Sequence, residues 1–210
     1  MSSIAKTTTT QYSTARYWAI VLVGSFLHAM IVIIPAWWLM PVNAWPISLW
    51  SFFASVILMG TLESCLAPPK TGPPDAVEDP LAIRIAGIVG LSIVVLFWCA
   101  QFEAVWTGNG QSMNWLNFVG AGFMIGGAAL RLWAIATLGQ AFVSDIRKDG
   151  PRVTSGPYQW LHHPGEIGML LFVLGGIVSL GAYAMALAAA CLLTPISLWR
   201  MRRETRLFEK

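Results

Sequence analysis

Charged residues are scarce in this sequence, and their scarcity excludes most classes of soluble protein. Of the 210 residues only 11% are Asp, Glu, Lys or Arg, whereas 56% are hydrophobic and the mean hydropathy is +0.64. A soluble domain usually carries about a quarter charged residues, so this chain lacks the polar surface that contact with water requires. The composition therefore predicts an integral membrane protein.

Cysteine is also rare, and its placement indicates neither a disulfide framework nor a metal site. Cys65, Cys99 and Cys191 are odd in number, lie in or at the end of apolar stretches, and form no CxxC or Cys/His spacing. Packing among apolar side chains is the ordinary role of such cysteines. We therefore expect no bound metal and no disulfide.

The N-terminal segment lacks the features of a signal peptide. Residues 1–13 are polar and rich in Thr, without a short apolar core followed by a small-residue cleavage site. The first apolar stretch is therefore expected to be a retained helix, preceded by a polar tail at 1–16.

Six apolar stretches dominate what remains of the sequence. About 20 apolar residues cross the hydrocarbon core as a helix, and the stretches lie at 17–40, 50–66, 81–104, 115–138, 166–180 and 183–199. The fifth is short for a span, so the last two are expected to form a tight, tilted hairpin. We predict an all-α polytopic membrane helical bundle of about six spans. Its parts are the tail 1–16, N-terminal membrane helices 17–114 and a core 115–210 with a loop at 139–164 and a hairpin at 165–210.

Lys and Arg occur in alternate loops, which predicts the orientation of the chain. The turns at 41–46, 105–114 and 181–182 contain none. The opposite set holds Lys6, Arg16, Lys70, Arg147, Lys148, Arg152, Arg200, Arg202, Arg203, Arg206 and Lys210. Because cytoplasmic loops carry an excess of Lys and Arg, both termini and the loop 139–164 are predicted to be cytoplasmic. The basic C-terminal cluster is typical of a membrane flank, so no nucleic-acid partner is expected.

Four ionisable residues are expected to lie within the membrane, where each needs a partner, a cavity or a route to water. Arg131 lies about two turns from the cytoplasmic end of its helix, within reach of snorkelling. Glu63 lies at the same level of another helix and is a plausible partner. Glu103 is expected to be solvated at the outer interface, and His28 to form a hydrogen bond between helices.

The loop 139–164 carries the densest local signals. Gly156-Pro157 predicts a turn, and Pro164 both restrains His163 and can open the fifth helix as its first residue. A histidine and several N–H groups are thereby placed at a helix N-terminus, where anionic groups are favoured. His162 and His163 have no Cys or Asp nearby, which disfavours a metal site. From these residues alone, a rigid re-entry loop and a ligand site remain equally open.

The same loop resembles a known enzyme family. The run LGQAF…DGPRVTSGPYQWLHHPGEIG is similar to the signature of the isoprenylcysteine carboxyl methyltransferase family, which has LG..F, a charged stretch, and then V..GPY...RHP...G. Two positions depart from that pattern. His162 replaces the usual Arg, and Glu166 stands where an aromatic residue is common.

The family's second signature is an Arg followed four residues later by paired Glu and a hydrophobic pair. Arg200, Glu204 and the pair at 207–208 match this spacing, and Thr205 replaces the second Glu. The two signatures lie about forty residues apart, and the resemblance covers 126–208. It implies a cytoplasmic S-adenosylmethionine pocket roofed by the loop and the last helix.

The resemblance also implies roles for individual residues. Carried over by position, the cofactor-binding residues are Gly156, Pro157, Tyr158, His162, His163, Pro164 and Glu204, and the catalytic residues are His163, Arg200 and Glu204. The implied acceptor is a lipophilic small molecule or an isoprenylcysteine-like lipidated substrate drawn from the bilayer, with O-methylation of a carboxylate as the implied reaction. A thiol, amine or hydroxyl acceptor would need a general base, for which His163 or Glu204 is the candidate.

Two other functions are compatible with the sequence. One is a non-catalytic membrane protein of the same fold, which the departures from the signatures would suit. The other is an NADPH-dependent membrane reductase, in which Arg147, Lys148 and Arg152 would bind the extra phosphate of the cofactor.

Overall fold

All regular elements in the part of the chain that the structure describes are helical. The structure is a computed structural model and describes residues 14–66, 80–139 and 153–208. The α-helices are α1 (Thr14–Leu39), α2 (Ile47–Leu66), α3 (Pro80–Thr107), α4 (Trp115–Leu138), α5 (Pro164–Ser179) and α6 (Tyr183–Phe208), with short 3₁₀ turns at Val42–Ala44 and Gly156–Gln159. The all-α fold predicted from the apolar stretches is confirmed.

Five of these helices are long and apolar enough to cross a membrane. The exception is α5, which has 16 residues. Large apolar side chains such as Phe26, Leu91 and Leu187 are more than half exposed on the outer faces of the helices, as expected for surfaces that contact lipid. The chain is therefore a multi-pass integral membrane protein.

Several residues behind the predicted orientation lie outside the described part of the chain. They are Lys6, Lys70, Arg147, Lys148, Arg152 and Lys210, and the side chain of His28 lies outside it as well. The cytoplasmic placement of the termini therefore stays a prediction.

The last helix is longer than the sequence predicted. Its apolar stretch ends near residue 199, but α6 continues to Phe208 and takes the basic cluster with it. Arg has a high helix propensity, and water can solvate the turns that emerge from the bilayer. Arg200 and Thr205 are therefore held on a rigid helix, a better support for a site than a loose tail.

Glycines bring α4 and α5 into backbone contact. A Cβ atom on Gly127 would lie 2.4 Å from the backbone nitrogen of Phe172, and one on Gly168 would lie 2.7 Å from that of Arg131. Gly120 and Gly175 repeat this arrangement seven residues away on each helix. Small residues allow membrane helices to approach this closely, so α4 fixes the position of α5 and of the loop that precedes it.

A proline in α1 is compensated by side chains of α3. Pro35 has no N–H, so the carbonyl group of Ile31 loses its helical donor. The indole nitrogen of Trp98 donates to that oxygen at 2.8 Å, and the side-chain nitrogen of Gln101 donates to the carbonyl of Val32 at 3.0 Å. Polar backbone groups in a bilayer need such partners, so these bonds fix α1 against α3.

Glu103 was expected to be solvated, and it is partly exposed, but it also has a structural role that the sequence did not predict. Its carboxylate accepts hydrogen bonds from the backbone N–H groups of Ala184 at 2.9 Å and Met185 at 2.7 Å. The first N–H groups of a helix lack internal partners and lie at the positive end of the helix dipole. Glu103 therefore caps α6, a role that sequence spacing could not indicate because 81 residues separate it from Ala184.

Neutral polar side chains close the same end of the bundle, which we call the turn end because it contains the α5–α6 turn. The amide of Asn114 lies 2.8 Å from the hydroxyl oxygen of Tyr183, and the amide of Asn117 donates to the carbonyl oxygen of Ser179 at 3.0 Å. Asn114 also caps α4 by accepting from the N–H of Leu116. The turn end is thus closed by hydrogen bonds between α4, α5 and α6.

Candidate functional site

The loop before α5 is packed rigidly against α4. Gly156 has a φ of +58°, and a Cβ atom there would lie 2.7 Å from the hydroxyl oxygen of Thr137. Only glycine suits that combination of backbone angle and close contact. Pro157, the next residue, is fully buried. The Gly-Pro pair therefore anchors the loop to α4, and it lies in the turn that the sequence predicted here.

His163 lies where the loop enters α5 and contacts α6. It is the N-cap residue of α5, and Pro164 follows as the first helical residue. Its Nε2 atom lies 3.3 Å from the hydroxyl oxygen of Thr205. Since the Thr205 hydroxyl already donates to the carbonyl of Met201, Nε2 is assigned as the donor to Thr205, a choice of tautomer made from the hydrogen-bond network.

A second contact between the two helices is ionic. The Nη1 atom of Arg200 lies 3.1 Å from Oε1 of Glu166, and the two side chains are 15% and 17% exposed. Arg200 continues the inward-facing row of α6 that includes the buried Leu193 and Ser197. The other oxygen of Glu166, Oε2, is buried and has no hydrogen-bond partner among the described residues.

A third polar contact joins α2 and α4 to the start of α5. The guanidinium group of Arg131 bonds both carboxylate oxygens of Glu63, with Nε to Oε2 at 2.9 Å, and its Nη1 donates to the carbonyl of Gly165 at 3.2 Å. The partnership predicted for Glu63 and Arg131 is confirmed. It joins α2, α4 and α5 one residue away from Pro164. We call the region that contains Glu63, Arg131, His163–Glu166 and Arg200–Thr205 the site end.

A groove of about 670 Å³ runs along α6 but faces away from these contacts. Its lining includes Cys191, Pro195, Leu198 and Arg202. At 100° per residue, Arg202 points about 200° away from Arg200 around the helix. The groove is an apolar, outward-facing surface that ends in basic side chains, and we do not include it in the site.

The structure brings together some of the residues predicted for the site and separates others. His163 and Arg200 both take part in contacts between α5 and α6, His163 with Thr205 and Arg200 with Glu166. The loop residues Gly156, Pro157 and Tyr158 lie on the α4 side, Tyr158 being half-buried. Pro164 is fully buried at the start of α5, whereas His162 is exposed. Glu204 lies in α6 one turn beyond Arg200, and its side chain is outside the described part of the chain.

Glu166 and Thr205 entered the sequence analysis only as departures from the family signatures, yet both contact a predicted site residue. One signal could have identified Glu166 as more than a departure. It is the only charged residue in the sequence of α5, three positions after His163 and therefore on the same helical face. Thr205 offered no comparable signal.

The converging groups define what the site can do chemically. A guanidinium, a carboxylate, an imidazole and a hydroxyl can together bind a ligand that carries both charge signs. Within residues 14–66, 80–139 and 153–208, no cluster of three or more His, Cys, Asp or Glu side chains could hold a metal ion. The groups that meet at the start of α5 therefore offer both charge signs to an organic ligand.

Comparison with known proteins bears on the same part of the chain. Residues 120–209 match the sequence model of the isoprenylcysteine carboxyl methyltransferase family. No curated protein and no solved structure matches the chain. The matched residues include the loop, α5 and α6, so the resemblance noted from 126–208 is confirmed, and this region is similar to that of a family of membrane methyltransferases.

Proposed function

We propose that this chain, whose residues 120–209 are of the isoprenylcysteine carboxyl methyltransferase family, transfers a methyl group from S-adenosylmethionine to a lipophilic acceptor. The observation that carries the proposal is the convergence of His163 and Glu166 on α5 with Arg200 and Thr205 on α6. These residues lie in two signatures about forty residues apart in sequence.

The donors and acceptors at the site suit the charged groups of the proposed cofactor. S-adenosylmethionine carries a sulfonium, an ammonium and a carboxylate, so its pocket needs acceptors as well as donors. Arg200 and His163 offer donors, and the hydroxyl oxygen of Thr205 offers an acceptor beside them. We assign the cofactor contacts to Gly156, Pro157, Tyr158, His162, His163, Pro164 and Glu204.

The residues of the chain act mainly by holding the cofactor and the acceptor in position. When bound, S-adenosylmethionine supplies an electrophilic methyl group, and transfer requires that the acceptor approach this group in line with the bond that breaks. Holding two reactants in contact can supply a large part of the acceleration. The backbone contact between α4 and α5, the Gly156 anchor and the Arg131 bond to Gly165 provide rigid support for that purpose.

A lipophilic acceptor suits the surroundings of the site. His163, Glu166 and Arg200 lie at the end of helices whose outer faces are apolar. Such an acceptor can reach them from the bilayer, whereas the water-soluble cofactor enters from solution. The carboxylate that the resemblance implies is already ionised at neutral pH and would need no base, so Arg200 would bind it and Glu204 would contribute to the cofactor site.

Titration of purified, folded protein with S-adenosylmethionine by calorimetry tests the proposal. We expect saturable binding, and we expect His163→Ala to weaken it by about tenfold or more because the loop loses its contact to α6. The control is Gln159→Ala, an exposed residue of the same loop, which should bind as the native protein does. A parallel titration with NADPH should give no binding.

Absence of cofactor binding at millimolar concentration, in protein with a native helical spectrum, would refute the proposed function. Equal affinity of the native protein and His163→Ala would leave methyl transfer standing but would refute the assignment of His163. Binding of NADPH alone would favour a reductase.

A further inference from the structure

The Glu166–Arg200 pair has a consequence for the chemical class of the acceptor. We infer that Glu166 selects an acceptor that carries its own proton, such as an amine, thiol or hydroxyl group, in preference to a carboxylate. The inference rests on the proposed function, because it concerns the acceptor of the same methyl transfer. It departs from the carboxylate that the family resemblance implies.

The charges at the site disfavour a carboxylate acceptor. Arg200 is the described guanidinium that faces the start of α5 from α6, and its contact at 3.1 Å is to the carboxylate of Glu166. The formal charges of the two groups cancel. An acceptor carboxylate entering beside them would meet a like charge on Glu166 and would have to compete for Arg200 in a poorly hydrated place, where an uncompensated charge is strongly disfavoured.

Among the described residues, no second guanidinium group at the start of α5 is placed to replace Arg200. Arg131 lies close by, but its guanidinium group is occupied by both oxygens of Glu63 and by the carbonyl of Gly165. Arg202 is exposed and lines the groove on the far side of α6. Among the described guanidinium groups, a carboxylate acceptor at the start of α5 would therefore find only Arg200, for which Glu166 competes.

Hydrogen bonding at Glu166 favours an acceptor that carries a proton. Oε2 of Glu166 is buried and lacks a partner among the described residues, although its twin Oε1 is paired. A buried acceptor atom without a donor is disfavoured, so the oxygen is suited to a ligand that brings an N–H, O–H or S–H group. A carboxylate brings no such group.

The transfer step balances with Glu166 in this role. The lone pair of the acceptor atom forms the bond to the methyl carbon while the carbon–sulfur bond of the sulfonium breaks and its electron pair stays on sulfur. The proton of the acceptor passes to Oε2 of Glu166 and from there to water. Glu166 is then a catalytic residue that contacts the acceptor, and Arg200 holds its carboxylate in place.

Acceptors that share one alkyl chain and differ in the reacting group test the inference. Dodecylamine, dodecanethiol, dodecanol and dodecanoate are each supplied in detergent with S-adenosylmethionine labelled on its methyl carbon, and the labelled lipophilic product is measured. We expect the native protein to methylate at least one of the first three faster than dodecanoate by about tenfold or more.

The variant Glu166→Gln keeps the shape of the side chain but removes its charge and its basicity. We expect transfer to the proton-bearing acceptors to fall by about tenfold or more and the ratio of dodecanoate to these acceptors to rise. The affinity for S-adenosylmethionine, measured separately by calorimetry, should change by less than about threefold, because the cofactor contacts are assigned to other residues.

Three outcomes would overturn the inference while leaving the proposed function intact. These are preferential methylation of dodecanoate by the native protein, methylation of none of the four probes by protein that binds S-adenosylmethionine, and a Glu166→Gln variant that loses cofactor affinity without a change in acceptor ratio. If Glu166→Gln does not fold, the acceptor series on the native protein decides alone. Failure of the native protein to bind S-adenosylmethionine would instead refute the proposed function.

Discussion

The two ends of the helical bundle use polar residues in opposite ways. At the turn end, Asn114, Asn117 and Tyr183 bond to one another or to backbone groups, and both carboxylate oxygens of Glu103 accept from N–H groups of α6. At the site end, two carboxylate–guanidinium pairs are packed between helices.

This difference separates a structural role from a functional one. Neutral amides and hydroxyls can close a bundle at little electrostatic cost, whereas ion pairs taken out of water are often no more stable than apolar side chains of the same volume. Charged groups within a membrane protein usually have a function for the same reason. We therefore interpret the site end as the proposed binding site and the turn end as a structural closure of the bundle.

Among the substitutions that test this difference between the two ends, Arg131→Met is expected to change stability the most. Arg131→Met leaves Glu63 without its partner and the carbonyl of Gly165 without its donor, so the free energy of unfolding should fall by about 3 kcal/mol. Loss of S-adenosylmethionine binding should accompany it. Unfolding in detergent, followed by Trp fluorescence, measures the change, with Arg84→Met on the exposed face of α3 as control. A double variant Glu63→Gln/Arg131→Met that is no more stable than Arg131→Met would contradict the explanation.

A smaller and more selective effect is expected at Arg200. Arg200→Ala removes the counter-charge of Glu166 and should weaken S-adenosylmethionine binding by about tenfold, or 1.4 kcal/mol. Arg202→Ala removes the same kind of side chain from the exposed, groove side of α6 and should bind the cofactor normally. Calorimetric titration compares the two, and equal losses in both variants would mean that general basicity, not the position of Arg200, governs binding.

The smallest effect belongs to the turn end. Tyr183→Phe removes the hydroxyl that contacts Asn114 and should lower the free energy of unfolding by about 1 kcal/mol. Cofactor affinity should not change, because this end serves only to close the bundle. A matched loss of S-adenosylmethionine binding in Tyr183→Phe would show that the two ends are coupled and would remove the distinction drawn between them.

The helices could be predicted from sequence because each is an uninterrupted apolar stretch of bilayer length. The bounds of α4 agree with the stretch at 115–138, and the pairing of Glu63 with Arg131 followed from their similar depth. Both predictions depend on position along a helix, which the rise per residue fixes.

Contacts between distant helices were harder to anticipate. Glu103 and Glu166 are each explained by a partner more than thirty residues away, and nothing in local spacing identifies that partner. The family resemblance implied that His163 and Arg200 belong to one site, whereas the pairing of Arg200 with Glu166 required the packing of α5 on α6. The roles assigned to Gly156–Pro164 and Glu204 in binding the cofactor stay predictions.

The brevity of α5 has a consequence for the bilayer around it. Its 16 residues extend about 24 Å, several ångströms less than the hydrocarbon thickness of about 30 Å. Such a mismatch is relieved when the lipid layer thins or water descends beside the short helix. Because α5 is fixed to α4 by glycine contacts and cannot slide to compensate, the thinning would fall at its ends, one of which carries His163. A dissolved cofactor and a lipid-borne acceptor could then meet at the same depth without either leaving its own phase.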